Sequence, residues 1–177
     1  MKKYFLKSLA LLLVSSATTS VATCPDYLDT TMRKLHSNEN INFCDNFSGK
    51  PILIVNTASY CGFKGQFRGL ESLHKTYGGK GLAVIGFASD SFNQEASDEE
   101  QAADVCFKNF GVTFTMMATT SVVGEDANPV FSELGRQTQP PGWNFNKYLV
   151  DKTGKVVKHY KSSVSPAKLR NDIESIL

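Results

Sequence analysis

Two stretches of this chain are almost wholly apolar and short enough to be strands buried on both faces. They are Pro51 to Ala58, built around Ile52-Leu53-Ile54-Val55, and Leu82-Ala83-Val84-Ile85-Gly86-Phe87. Between them Phe67, Leu70, Leu73 and Tyr77 recur at helical spacing, and Gly78-Gly79 mark the end of that helix. Strand, helix and strand over residues 51 to 87 predict a right-handed parallel unit. Downstream, Asp98 to Phe110 reads as a second helix carrying Cys106, and Val112 to Met117 as a third strand. The turn-rich stretch 119 to 142 holds a short helix near Pro129 to Leu134. Tyr148-Leu149-Val150, the turn Asp151-Lys152-Thr153-Gly154 and Val156 to Tyr160 predict a hairpin. Ser165 as N-cap and Pro166 at the first helical position start a last helix with Leu169, Ile173 and Ile176 on one face.

That order predicts an α/β domain of thioredoxin-like layout, a central mixed β-sheet with helices on both faces. Upstream, Ser37-Asn38-Glu39-Asn40 is a turn cluster between Lys34-Leu35-His36 and Ile41-Asn42-Phe43, so residues 23 to 50 form an extension containing a hairpin. At 177 residues the chain suits one domain, spanning 23–177. The first 22 residues read as a cleaved secretory signal peptide: Lys2, Lys3 and Lys7 flank a short apolar core through Leu13-Val14, and small residues follow at Ser20-Val21-Ala22. That core is too short to span a bilayer. Thr23, rather than Gly or Ala, precedes Cys24, which argues against a lipid anchor. The expectation is an exported protein, periplasmic or secreted, without an integral membrane span.

Charge changes with that reading. Of 19 basic residues three belong to the signal, leaving 16 against 17 acidic ones, so nothing points to nucleic acid or an anionic surface. Four cysteines remain, Cys24, Cys44, Cys61 and Cys106, and export permits disulfides among them. A Cys24–Cys44 bridge would staple the extension to the core, closing a loop of about 20 residues for about 3 kcal/mol; two free thiols, or one of them partnering Cys61, are the alternatives. His36, His74 and His159 stand at no metal-ligand spacing from any cysteine, so no metal is expected.

Cys61 is the candidate nucleophile. It follows Asn56-Thr57-Ala58-Ser59-Tyr60, where the first strand gives way to a helix, and a helix N-terminus favours the reactive thiolate. A dithiol exchanger needs Cys-x-x-Cys here, and Cys61-Gly62-Phe63-Lys64 lacks the second cysteine. A single thiolate can instead attack the O–O bond of a hydroperoxide and become a sulfenic acid. That chemistry needs fixed donors for the developing charge, and side-chain amides and an indole N–H supply them without a second reactive thiol.

The chain resembles the glutathione peroxidase family, in its cysteine-containing, non-selenium branch. The matching stretches are Val55 to Gly62, Gly81 to Phe87, Phe92-Asn93-Gln94-Glu95, Phe110-Gly111-Val112-Thr113-Phe114, Asn128-Pro129 and Trp143-Asn144-Phe145-Asn146-Lys147-Tyr148-Leu149-Val150-Asp151. The resemblance implies that Cys61 is the peroxidatic nucleophile and that Gln94, Trp143 and Asn144 are its polarising donors, with Gly62 adding a backbone N–H. It departs from the family pattern in the loop from Ala88 to Asn93, one residue shorter than usual, and at Lys64, where a neutral residue is customary. Cys106, just before Phe110-Gly111-Val112, matches the resolving cysteine of thioredoxin-dependent members; it would have to leave its helix to meet Cys61.

The resemblance thus implies a peroxidase of oxidative-stress defence, acting on hydrogen peroxide and organic or lipid hydroperoxides and using no prosthetic group. A thioredoxin-like protein, or glutathione, is the expected reducing partner. The family's interface insertion is missing between Phe131 and Trp143, which implies a monomer. A peroxide sensor that passes oxidation to a partner protein is the alternative reading of the same cysteines.

Overall fold

The computed structural model describes residues 24–177, so the signal-peptide reading of residues 1–22 lies outside the described residues. Five strands form the main sheet: β3 (Ile52–Thr57), β4 (Ala83–Ala88), β5 (Thr115–Met117), β6 (Lys147–Val150) and β7 (Val156–Tyr160), in spatial order β5-β4-β3-β6-β7. The β3/β4 and β4/β5 pairs are parallel, and β3/β6 and β6/β7 antiparallel. The central strand β3 is buried at all six positions. Its alternation divides the core: Leu53 and Val55 join one cluster, Ile52 and Ile54 the other. Phe67, Leu70, Leu73 and Tyr77 of α2 (Gln66–Tyr77) cover the first face with Leu169 and Ile173 from the C-terminal helical segment. Phe43 and Phe47 of α1 (Phe43–Phe47) and Val130, Phe131 and Leu134 of α4 (Pro129–Gln137) cover the second. This is the thioredoxin-like α/β layout. No helix among the described residues is long and apolar enough to cross a membrane.

The extension forms the hairpin β1 (Thr31–Arg33) and β2 (Asn40–Asn42). It lies along the edge strand β5, where Leu35 N–H donates to Met116 O at 2.9 Å and Ala118 N–H to Arg33 O at 2.9 Å. Covering an edge in this way removes a template for unwanted strand pairing. Cys24 and Cys44 are joined by a disulfide, with Cα atoms 5.7 Å apart, which ties the start of the extension to α1.

Three local predictions change. Helix α2 begins at Gln66, five residues past Cys61, because Gly62 and Gly65 flank successive tight turns closed by Lys64 N–H to Cys61 O and Gln66 N–H to Phe63 O. The helix expected over Asp98 to Phe110 is regular only in α3 (Glu99–Ala103), then widens into a π-helical segment over Asp104–Asn109. Ser165 does not cap with its side chain; its carbonyl accepts Lys168 N–H, and Pro166–Leu169 form a 3-10 turn before α5 (Arg170–Glu174). The Lys168 N–H that a side-chain cap would satisfy is already taken by that carbonyl.

Candidate active site

Strand β3 delivers Cys61 to a turn rather than to a helix terminus, and Phe63 N–H reaches its sulfur at 3.5 Å. Phe63 lies one residue past Gly62, whose N–H the resemblance adds to the polarising donors. The turn is strapped to the segment after β4 at three successive points. Ser59 donates its N–H at 3.0 Å and its hydroxyl to Glu95 Oε1. Tyr60 N–H donates to Gln94 O at 2.9 Å, and Tyr60 OH to Gln101 Oε1 at 2.9 Å. Cys61 itself is 1 % exposed, whereas Tyr60, Phe63 and Trp143 stand at the surface around this end of the sheet. The sulfur is thus shielded from solvent in this arrangement. Lys64 is exposed.

Residues far apart in sequence converge beside that turn. Asn144 is fully buried and its Nδ2 donates to Gln94 Oε1 at 3.1 Å. One Asn144 N–H and the whole Gln94 amide N–H₂ have no protein acceptor among the described residues, so both remain available as donors. Asn144 Oδ1 is buried without a protein partner. An orphaned buried acceptor costs about 1–3 kcal/mol and calls for a donor from elsewhere. Trp143 is 41 % exposed and packs its ring 5.4 Å from that of Phe92.

The clamp that holds this loop was not singled out from sequence. Asn56, on β3, accepts Phe145 N–H at its backbone (2.6 Å) and Asn146 N–H at its side chain (3.0 Å), and donates Nδ2–H to Trp143 O (3.1 Å). Phe145 sits at φ +61, a backbone strain these bonds hold in place. The available signal was a buried-strand pattern broken by one asparagine. Lys147 was missed too: it is fully buried, its Nζ donates to the carbonyls of Ser162 (3.4 Å) and Val164 (2.6 Å), and burial pulls its pKa down to about 8.

Cys106 lies in the π-helical segment, 3 % exposed, and burial first and Glu95's charge second push its thiol up to about 12. Glu95, also buried, is held above the usual carboxylate range by burial, against the hydrogen bonds from Ser59 and Ala96. A surface groove of about 470 Å³, lined by Phe63, Pro140, Trp143 and Lys161 among others, runs up to this end of the sheet. Among the described residues no three His, Cys, Asp or Glu side chains gather as metal ligands.

Comparison with known proteins places this geometry in a lineage. The family model described as glutathione peroxidase matches residues 8–135, a span that stops before Trp143. The glutathione peroxidase-like peroxiredoxin gpx1 of Schizosaccharomyces pombe is 44 % identical over 138 residues, covering 75 % of this chain and 87 % of that protein. The glutathione peroxidase-like peroxiredoxin GPX5 of Chlamydomonas reinhardtii is 45 % identical over 135 residues, covering 73 % and 83 %. The crystal structure of Trgpx in its apo form superposes with a TM-score of 0.68 at 27 % identity, covering 87 % of this chain and 96 % of that one.

Proposed function

We propose that this chain, which belongs to the glutathione peroxidase family and is a thiol peroxidase of the glutathione peroxidase-like kind, runs its reaction on Cys61 with Cys106 as the resolving thiol. The Cys61 thiolate attacks one oxygen of a hydroperoxide. The S–O bond forms, the O–O bond breaks, and the leaving alkoxide takes a proton to become the alcohol or water. Gln94 and Asn144 offer amide N–H groups to the departing oxygen, the Trp143 indole N–H is assigned the same task, and Asn144 Oδ1 accepts the O–H of the bound hydroperoxide. The Cys106 thiolate then attacks the sulfenic sulfur, forming an S–S bond as hydroxide leaves as water. A thioredoxin-like dithiol protein reduces that bond by exchange.

The observation that carries this reading is the Asn144–Gln94 hydrogen bond at 3.1 Å, because it joins two donors fifty positions apart beside the Cys61 turn. The groove along Phe63 and Trp143 supports bulky organic and lipid hydroperoxides as substrates besides hydrogen peroxide. Its exposed Lys161 favours glutathione, an anionic thiol, as a second reductant. The Cys24–Cys44 disulfide supports export to an oxidising compartment, periplasmic or extracellular. The short connection from α4 to β6 supports a monomer. The test is peroxide consumption driven by a thioredoxin system. Wild-type protein turns over and Cys61→Ser does not; retained turnover in Cys61→Ser would remove the assignment.

A further inference from the structure

The helical stretch that carries Cys106 is pinned at its first turn from two sides. On one side Arg33, in the extension hairpin, donates through one guanidinium nitrogen to Glu99 Oε1 at 2.9 Å and Oε2 at 3.0 Å. The backbone N–H of His36 adds a third bond to Glu99 Oε1 at 3.2 Å. Arg33 is itself steadied by the Ser37 carbonyl at 3.0 Å, and its strand is bonded to β5. On the other side the Tyr60 hydroxyl donates to Gln101 Oε1, so the residue preceding Cys61 holds the same turn.

Helix α3 has five residues and runs directly into the six-residue π-helical segment. A helix this short does not persist in water without tertiary anchors. The Cys61–Cys106 bond needs Cα atoms within about 7 Å. On the resolving reading Cys106, 3 % exposed in its helical wall, leaves that wall to meet Cys61. Unwinding of residues 104–109 therefore presses on the turn that Arg33, His36 and Tyr60 hold.

From this arrangement we infer that Arg33 and Glu99, with Tyr60–Gln101 opposite, form a latch that sets the rate of the resolving step, the Arg33–Glu99 half of it without touching the peroxidatic one. They are positioning residues. This rests on Cys106 being the resolving cysteine. Glu99 and Arg33 are partly exposed, so their pair moves an equilibrium modestly, about two- to fivefold.

The experiment is stopped-flow with one equivalent of hydrogen peroxide, followed by fluorescence of Trp143, the chain's one tryptophan. A fast phase reports Cys61 oxidation and a slower one disulfide formation. In Arg33→Ala the fast phase stays within error of wild type and the slow phase speeds up about two- to fivefold, and Arg33→Lys falls between. Salt at 0.5 M accelerates the slow phase of wild type but not of Arg33→Ala, a response that a purely structural role would not give. A slow phase that is unchanged or slower in Arg33→Ala, or a change shared equally by both phases, overturns the latch. Cys106→Ser separates the two ideas: the slow phase should vanish there. If it vanishes while Arg33→Ala is unaltered, only the latch falls; if it persists, the resolving assignment falls and the latch with it.

Discussion

Cys61 and Cys106 are almost equally hidden, at 1 % and 3 % exposure, yet their surroundings are opposite. The Cys61 sulfur receives a backbone N–H in an irregular turn beside two side-chain amides with spare donors. Cys106 lies in a helical wall with a buried carboxylate nearby, and its thiol is pushed up to about 12. Burial alone therefore does not rank the two thiols. A backbone N–H faces the first sulfur, while a buried carboxylate lies near the second. On the proposed reading the first cysteine reacts with the hydroperoxide and the second is held back until its segment moves.

The largest expected effect tests the first half of that contrast. Cys61→Ser should lose all peroxide turnover, while Cys106→Ser should keep the rate of the first oxidation within about twofold and lose turnover driven by a dithiol protein. Asn144→Ala removes a donor together with the buried Oδ1 acceptor and the group that holds the Gln94 amide, and should slow Cys61 oxidation about 100-fold, the usual effect of losing one oxyanion-type donor. Gln94→Ala should cost about tenfold, since Asn144 keeps its own N–H groups. Both are read from the dependence of the fast oxidation rate on peroxide concentration.

Less of this contrast was legible in the sequence than of the scaffold that carries it. Strands β3 and β4 announce themselves because burial on both faces prints continuous apolar runs, and α2 because Phe67, Leu70 and Leu73 keep a helical period. Asn128-Pro129 marks the start of α4, where the Asn128 side chain accepts Phe131 N–H at 3.0 Å. The π-widening at Cys106 leaves no compositional mark, because it changes hydrogen-bond offsets and not residue types. The passage from strand to helix at Cys61 is legible, but not the successive tight turns that hold α2 off until Gln66. Lys147 looks like a solvent-facing strand residue until the carbonyls of Ser162 and Val164 fold over it. Gln94, Trp143 and Asn144 carry no signal singly; only the family resemblance grouped them, and Asn56, whose three bonds position the Trp143 loop, was hidden inside an apolar run.

A smaller effect sharpens the second half of the contrast through pH. Reduced Cys106 keeps its proton in the folded state up to about 12, whereas an unfolded thiol loses it near pH 8.5. The buried thiol's contribution to stability is therefore complete below about pH 8.5 and declines as pH rises from there toward 12. Between pH 8.5 and 10 the unfolding equilibrium constant of the reduced wild type should rise faster than that of Cys106→Ala, by up to about tenfold per pH unit. Parallel curves from chemical denaturation at several pH values would show that Cys106 titrates as an ordinary exposed thiol.

The order of events at the two sulfurs is open to direct observation. Reduced protein is mixed with one equivalent of hydrogen peroxide, quenched at successive times with a sulfenic-acid-selective nucleophile, and mapped by mass spectrometry. The account predicts a label on Cys61 at the earliest times, giving way to a Cys61–Cys106 disulfide while Cys24–Cys44 stays as it was. An early label on Cys106, or an unlabelled Cys61 throughout, would contradict it.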